Sequence, residues 1–261
     1  MQSFTDQTGR TIKLSNLPTR IISLVPSQTE LLADLGLDEE VVGITKFCIH
    51  PEHWFRTKKR VGGTKQVKME IIHELEPDLI IANKEENVKE QVEELAFHYP
   101  VWISDIKNLN DALMMIQEIG SLTGKASEAQ FIIEKITEGF SKLSAPACTP
   151  KTCYLIWKDP LMTVGSDTFI HSMLAAAGFD NIFKDKKRYP ELTIDELKES
   201  GCEVLLLSSE PYPFNQKHIE DLQQLLPGTQ IYLADGELFS WYGSRLLKSP
   251  SYFSQLHKTL K

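Results

Sequence analysis

The stretch that decides the fold is Ile21-Ile-Ser-Leu-Val25 followed by Ser27-Gln-Thr-Glu-Leu-Leu-Ala-Asp-Leu-Gly36. Its first part is a short, continuously apolar run, which is typical of a strand in a parallel sheet covered on both faces. Its second part begins with a capping box, in which Ser27 pairs with Glu30, and stops at Gly36. A strand followed directly by a helix is the repeating unit of α/β proteins.

The same pattern recurs along the chain. Five further apolar runs predict strands: Leu79-Ile-Ile-Ala82, Val101-Trp-Ile-Ser104, Cys153-Tyr-Leu-Ile-Trp157, Val204-Leu-Leu-Leu207 and Ile231-Tyr-Leu-Ala234. The halves also resemble each other, because residues 166–178 repeat the Ser-x-Thr start and the glycine stop of residues 27–36. Glu70 and Asp195 each open a short helix with a second acid eight residues later. We therefore predict an α/β fold of two related, Rossmann-like lobes.

A helix is predicted between the two halves. Apolar side chains in residues 124–143 fall at three- and four-residue steps, which form one stripe of a helix. About 20 helical residues span roughly 30 Å, which is enough to connect two lobes; an ordinary helix covering one sheet is the alternative. The predicted organisation is an N-terminal lobe over 1–121, an inter-lobe helix over 122–145 and a C-terminal lobe over 146–261.

Composition excludes several classes of protein. The 261 residues include 28 Lys+Arg and 36 Asp+Glu, and the resulting net charge of −8 disfavours nucleic acid as a partner. No apolar stretch is long enough to span a bilayer. The first ten residues lack the apolar core of a secretory signal, so we expect either a cytoplasmic protein or a mature form whose leader is absent from this chain.

Catalytic motifs are absent from the sequence. Residues 120–125 imitate a phosphate-binding loop but have three residues between the glycines where four are needed. No nucleophile elbow or dinucleotide-binding turn is present, and we predict that the protein is not an enzyme. Cys48, His50 and His53 lie within six residues and leave a metal-dependent hydrolase as an alternative, although structural histidines in a loop are favoured. Cys202 is expected to be a small buried side chain, and a Cys148–Cys153 disulfide stays open.

Aromatic residues cluster near the C-terminus. Six of them lie between Tyr212 and Tyr242, mostly in the loops that follow predicted strands. Loops beyond the carboxyl ends of parallel strands are where α/β proteins bind ligands. The alternative is a small core beneath long loops, with Arg245 stacked on Trp241. Because Trp241 and Tyr242 are adjacent, and adjacent side chains rarely both face inward, we favour a binding surface.

Three segments carry a resemblance to a known family: residues 20–30, Arg60-Val-Gly-Gly and the stretch from Glu70 through Pro77-Asp-Leu-Ile-Ile81. They resemble the helical-backbone class of ABC-importer substrate-binding proteins, most closely those for vitamin B12 (cobalamin), with haem and ferric-siderophore binders as cousins. The resemblance implies two lobes joined by one rigid helix, with a ligand in the cleft between them. It also implies a monomer in the periplasm or at the cell surface that docks on arginine pockets of a permease through Glu70 and Asp195, with Glu196 as a rival for the second position.

The resemblance and the aromatic loops together give a set of candidate ligand-binding residues. Aromatic faces would cover a macrocycle, and charged side chains would bind its peripheral amides or carboxylates. His50 could serve as an axial ligand to the cobalt or iron of the bound molecule, and no catalytic cofactor is expected. Corrinoid capture is the prediction, and a haem, a siderophore or a cytoplasmic corrinoid or metal handler are the alternatives. The candidates are Phe47, His50, Thr64, Trp157, Lys158, Glu210, Tyr212, Phe214, Asp235, Phe239, Trp241, Tyr242 and Arg245.

Overall fold

A computed structural model describes residues 2–143 and 149–260, so that Cys148 lies outside the described residues. The chain divides into two compact units. The first contains Met1–Ile106, Asn110–Lys135 and Tyr242–Arg245; the second contains Lys107–Leu109, Ile136–Trp241 and Leu246–Lys261. None of the helices in the described part is both long enough and apolar enough to cross a membrane.

The first unit is built on a parallel sheet of five strands in the order β5-β4-β3-β6-β7. These strands are β3 (Ile21–Ser23), β4 (Val41–Ile44), β5 (Lys59–Arg60), β6 (Leu79–Asn83) and β7 (Val101–Ser104). An antiparallel hairpin of β1 (Gln2–Thr5) and β2 (Thr11–Leu14) precedes them. The helices are α1 (Pro26–Asp34), α2 (Glu52–Thr57), α3 (Met69–Leu75), α4 (Lys89–His98) and α5 (Leu109–Leu122).

The second unit is built on a parallel sheet of four strands in the order β10-β8-β12-β13. These strands are β8 (Lys151–Leu155), β10 (Asp180–Asn181), β12 (Val204–Ser208) and β13 (Gln230–Ala234); β9 (Leu161–Met162) and β11 (Glu191–Leu192) form a separate antiparallel pair. The helices are α7 (Phe169–Ala176), α8 (Ile194–Glu199), α9 (Gln216–Leu225), α10 (Glu237–Ser240) and α11 (Ser249–Thr259). A 3₁₀ turn covers Ser244–Leu247.

The α/β class and all six predicted strands are confirmed. Residues of the central strands are fully buried, as continuous apolar runs require when helices cover both faces of a sheet. The predicted helix over 122–145 corresponds to α6 (Ala126–Ser141), and the division between the units falls within it, after Lys135. The first unit also includes Tyr242–Arg245, because the chain returns to it near the C-terminus. The predicted boundaries assign these residues to the C-terminal lobe.

The predicted capping box at the start of α1 is wrong. The helix begins at Pro26, with Val25 as its N-cap and no side-chain cap. Proline suits the first helical position because its fixed φ is already helical and its missing N–H would lack a partner there. Ser27 is therefore inside the helix, and Glu30 instead accepts a hydrogen bond from Arg245.

Candidate functional site

The loop after β4 presents apolar side chains at the carboxyl edge of the first sheet. Phe47 is 50% exposed and Ile49 is 44% exposed, whereas Cys48 between them is fully buried. The Cys48 thiol lies 3.0 Å from Thr29 Oγ1 and 3.1 Å from Thr45 Oγ1. Because the side chain of Cys48 points into the first unit, its neighbours Phe47 and Ile49 point towards solvent.

The hydrolase alternative finds no support in this loop. Burial raises the pKa of the Cys48 thiol, which disfavours the thiolate that a metal or a nucleophilic reaction needs. His53 lies 3.1 Å from Asp38 Oδ1, and His50 is half-buried. Within the described residues, no group of three or more histidine, cysteine, aspartate or glutamate side chains is placed to hold a metal ion.

A buried polar network supports the loops at this edge. Asn87 Nδ2 donates to the Thr64 carbonyl at 3.0 Å, and Asn87 Oδ1 accepts from the Asn83 N–H at 2.8 Å. Asn83 Nδ2 and Gln28 Nε2 both donate to Ser104 Oγ, at 2.9 and 2.6 Å. The network ties the loops after β5, β6 and β7 to α1, and it fixes Thr64, whose side chain is buried. The sequence analysis did not identify Asn83 or Asn87. Asn83 could have been found, because it is a polar residue at the end of the apolar strand β6.

A pair of aromatic side chains, of which Trp157 is exposed and Tyr212 is half-buried, marks the carboxyl edge of the second sheet. Trp157 follows β8 and is 40% exposed. Its ring centroid lies 5.6 Å from that of Tyr212, which follows β12, in an edge-to-face arrangement. Lys158 is half-buried beside the pair, and its Nζ lies 4.0 Å from Asp159 Oδ2. The structure thus brings together three predicted residues, Trp157, Lys158 and Tyr212.

Two carboxylates follow strands β12 and β13 at the same edge of the second sheet. Glu210 Oε1 accepts hydrogen bonds from Trp241 Nε1 at 2.8 Å and from Ser240 Oγ at 2.6 Å. Trp241 is only 7% exposed, so its indole positions the Glu210 carboxylate and offers little surface of its own. Asp235 is exposed after β13, and its Oδ1 accepts from the Glu237 N–H at the start of α10. These contacts hold two carboxylates at the edge of the sheet.

Besides Thr64 and Trp241, four further candidate residues are buried inside the units. Phe214 belongs to the core beneath the second sheet, together with Leu155 and Leu207. Phe239 is fully buried, with its ring centroid 5.1 Å from Tyr154 and 4.7 Å from Phe253. The remaining two, in the first unit, are Tyr242 and Arg245.

Arg245 contributes to a buried ion pair. Its Nε donates to Glu30 Oε2 at 2.8 Å, and the two side chains are 9% and 12% exposed, respectively. A buried charge is stable only when it is paired, so Arg245 acts as the counter-ion of Glu30 within the first unit. Sequence reasoning missed this pair because Glu30 and Arg245 are 215 residues apart.

The two acids at corresponding helix starts are both exposed. Glu70 lies in the first turn of α3 and makes no hydrogen bond or ion pair with any residue that the structure describes. Asp195 lies in the first turn of α8, is 85% exposed and is 3.3 Å from Lys198 Nζ. Glu196 differs, because its Oε2 accepts from both the Thr193 N–H and Oγ1 in a capping box. Asp195 is therefore the more available carboxylate of the two.

Known proteins are similar to this chain in sequence. The family model for periplasmic binding proteins matches residues 21–227. The vitamin B12-binding protein of Vibrio parahaemolyticus is 26% identical over 203 residues, which cover 76% of this chain and 74% of that protein.

Two solved structures show the same fold. The periplasmic heme-binding protein HutB of Vibrio cholerae has a TM-score of 0.79 at 21% identity and covers 92% of this chain and 98% of its own. An ABC-type Fe3+-hydroxamate transport system from Saccharomonospora viridis has a TM-score of 0.75 at 18% identity, with coverage of 99% and 98%. The chain belongs to the periplasmic binding protein family, whose members are solute-binding proteins rather than enzymes.

Proposed function

We propose that the protein captures a corrinoid of the cobalamin type and delivers it to an importer. The observation that carries the proposal is the exposure of large aromatic side chains at the carboxyl edges of both sheets, Phe47 in the first unit and Trp157 in the second. Exposed aromatic rings at such edges suit the flat, apolar body of a macrocycle. The similarity to the vitamin B12-binding protein of Vibrio parahaemolyticus supports the corrinoid class.

Each of these two edges also carries polar side chains that suit such a ligand. Tyr212 extends the aromatic surface of Trp157. The carboxylates of Glu210 and Asp235 suit the amide N–H groups at the periphery of a corrin. His50 is the candidate axial ligand to cobalt, because neutral imidazole binds transition metals well. Six candidates are left out of the proposed site because they are buried: Thr64, Phe214, Phe239, Trp241, Tyr242 and Arg245.

A haem or a ferric siderophore is the second candidate ligand. The fold is shared with a heme-binding protein and with a hydroxamate transport protein at comparable TM-scores. The resemblance to cobalamin binders implies that His50 stands at the position of a tyrosine and Thr64 at the position of a tryptophan in that class. A histidine in place of the tyrosine suits haem iron as well as it suits cobalt.

Docking on a permease is proposed to use Glu70 and Asp195. Both are exposed carboxylates in the first turn of short helices that precede equivalent strands of the two sheets. An exposed carboxylate gains little from a partner in water, but a pair that becomes desolvated at an interface costs much more to break. From its resemblance to the substrate-binding proteins of ABC importers, we also propose that the protein acts as a monomer in the periplasm or at the cell surface.

The experiment is a titration of the wild type, Trp157→Ala and Phe97→Ala with cyanocobalamin, followed by tryptophan fluorescence and calorimetry. Phe97 is the matched control, because it is 86% exposed but lies near the end of α4, where the chain approaches the opposite edge of the first sheet. We expect Trp157→Ala to weaken binding by about tenfold, the loss of one stacking contact, and Phe97→Ala to bind like the wild type. Equal affinities in all three proteins would contradict the proposed site.

A further inference from the structure

Lys46 carries an unmatched positive charge at the carboxyl edge of the first sheet. It follows β4 by two residues and is exposed, and its Nζ lies 4.9 Å from the centre of the Phe47 ring. Its ammonium makes no hydrogen bond or ion pair within the part of the chain that the structure describes. Other lysines at this edge are engaged: Lys65 Nζ donates to a backbone carbonyl at 2.5 Å, and Lys84 Nζ lies 2.6 Å from Asp105 Oδ2.

Gly63 allows Lys46 and Phe47 to lie side by side. A Cβ atom at this position would be 3.2 Å from Phe47 Cε2 and 3.3 Å from Lys46 Cε, which is tighter than ordinary contact. Because glycine has no side chain, both neighbours rest on its backbone. The ring and the ammonium are thereby presented together, with the Lys46 ammonium over the Phe47 ring.

We infer that Lys46 binds an anionic group, a carboxylate or a phosphodiester, at the periphery of the transported macrocycle while Phe47 contacts its ring; this inference rests on the proposed function. A charge-assisted hydrogen bond to an ammonium is stronger than one between neutral groups, so Lys46 would favour ligands that carry such an anion. Lys158 in the second unit is less suited to this role, because Asp159 lies 4.0 Å from its ammonium and partly neutralises it.

Two pairs of ligands differ in an anionic group; the hemin pair isolates the charge, and the corrinoid pair changes the whole nucleotide that carries it. Hemin carries two carboxylates that its dimethyl ester lacks, and cyanocobalamin carries a phosphodiester that dicyanocobinamide lacks. Each pair is titrated into the wild type, Lys46→Gln and Lys46→Arg. Lys59→Gln is the control, because Lys59 is an exposed lysine on the edge strand β5 of the same sheet.

The pair that counts is the one that the wild type binds. For that pair, we expect Lys46→Gln to lower the affinity for hemin or cyanocobalamin, which carries the anionic group, by about tenfold. The affinity for the partner ligand that lacks this group should fall by less than about twofold. Lys46→Arg should restore most of the loss, and Lys59→Gln should bind like the wild type. Equal losses for both members, or no loss for either, overturn the role of Lys46 and leave the proposed function intact. A wild type that binds none of the four ligands overturns the proposed function, and the inference with it.

Discussion

The buried pair of Arg245 and Glu30 yields a quantitative prediction. Replacing Arg245 with methionine keeps the length of the side chain but removes the cation whose Nε lies 2.8 Å from Glu30 Oε2. Because the Glu30 side chain is only 12% exposed, water cannot replace that contact. Removing one partner of a buried ion pair costs about 3–5 kcal/mol, and we expect the first unit to lose about this much stability.

Urea unfolding followed by circular dichroism measures the effect. With a slope of about 2 kcal/mol/M, a loss of 3 kcal/mol lowers the midpoint by roughly 1.5 M. The chain has two units, so the shift is read from the transition of the first. The double variant Glu30→Gln/Arg245→Met should lose less than the sum of the single variants, because it leaves no buried charge without a partner.

An exposed ion pair provides the matched control. Arg56 pairs with Glu52 one helical turn away on α2, and the two side chains are 71% and 75% exposed. Arg56→Met should therefore cost at most about 1 kcal/mol. If Arg245→Met unfolds at the wild-type midpoint and instead loses ligand affinity, Arg245 is a ligand-binding residue and the reasoning from burial is refuted.

Three further predictions concern docking, the loop network and pH. Glu70→Ala and Asp195→Ala should bind cyanocobalamin normally but fail to stimulate the ATPase of the importer, whereas Glu196→Ala should stimulate it fully; normal stimulation by the first two contradicts the docking proposal. Asn87→Ala should lower the free energy of unfolding by about 1–3 kcal/mol, because the partners of a buried amide lose their hydrogen bonds; an unchanged urea midpoint contradicts this. The hydrogen bond from the Trp54 indole N–H lowers the pKa of Asp38 below its ordinary value of 3.8. The ionised Asp38 therefore stabilises the folded protein fully above pH 3.8, and this stabilisation is lost as the pH falls through the lowered pKa. The stability difference between the wild type and Asp38→Asn should therefore shrink in acid, and a constant difference in acid unfolding curves refutes the assignment.

The fold followed from the sequence where local signals were strong. Each long apolar run became a buried parallel strand, because only apolar side chains tolerate coverage on both faces. The short strands β4 and β5 were missed, since Val41–Ile44 contains a glycine and Lys59–Arg60 is charged. Their place in the sheet comes from neighbouring strands rather than from their own composition.

The candidate site was predicted less completely because burial within a loop depends on distant contacts. Trp157 and Phe47 are exposed, as a binding role requires, but Phe239 packs against Phe253 in the core. Nothing in the spacing of aromatic residues distinguishes these cases. The partnership of Arg245 with Glu30 was equally hidden, because it depends on the return of the chain to the first unit.

The central claim is tested most directly by equilibrium titration of the purified wild type with cyanocobalamin, with hemin and a ferric hydroxamate as competitors. We expect saturable binding of one cyanocobalamin per chain, with neither competitor displacing it at equal concentration. Stoichiometric binding of hemin or the hydroxamate with no binding of cyanocobalamin would contradict the corrinoid proposal. Failure to bind any of the three would contradict the binding roles proposed for Phe47 and for Trp157.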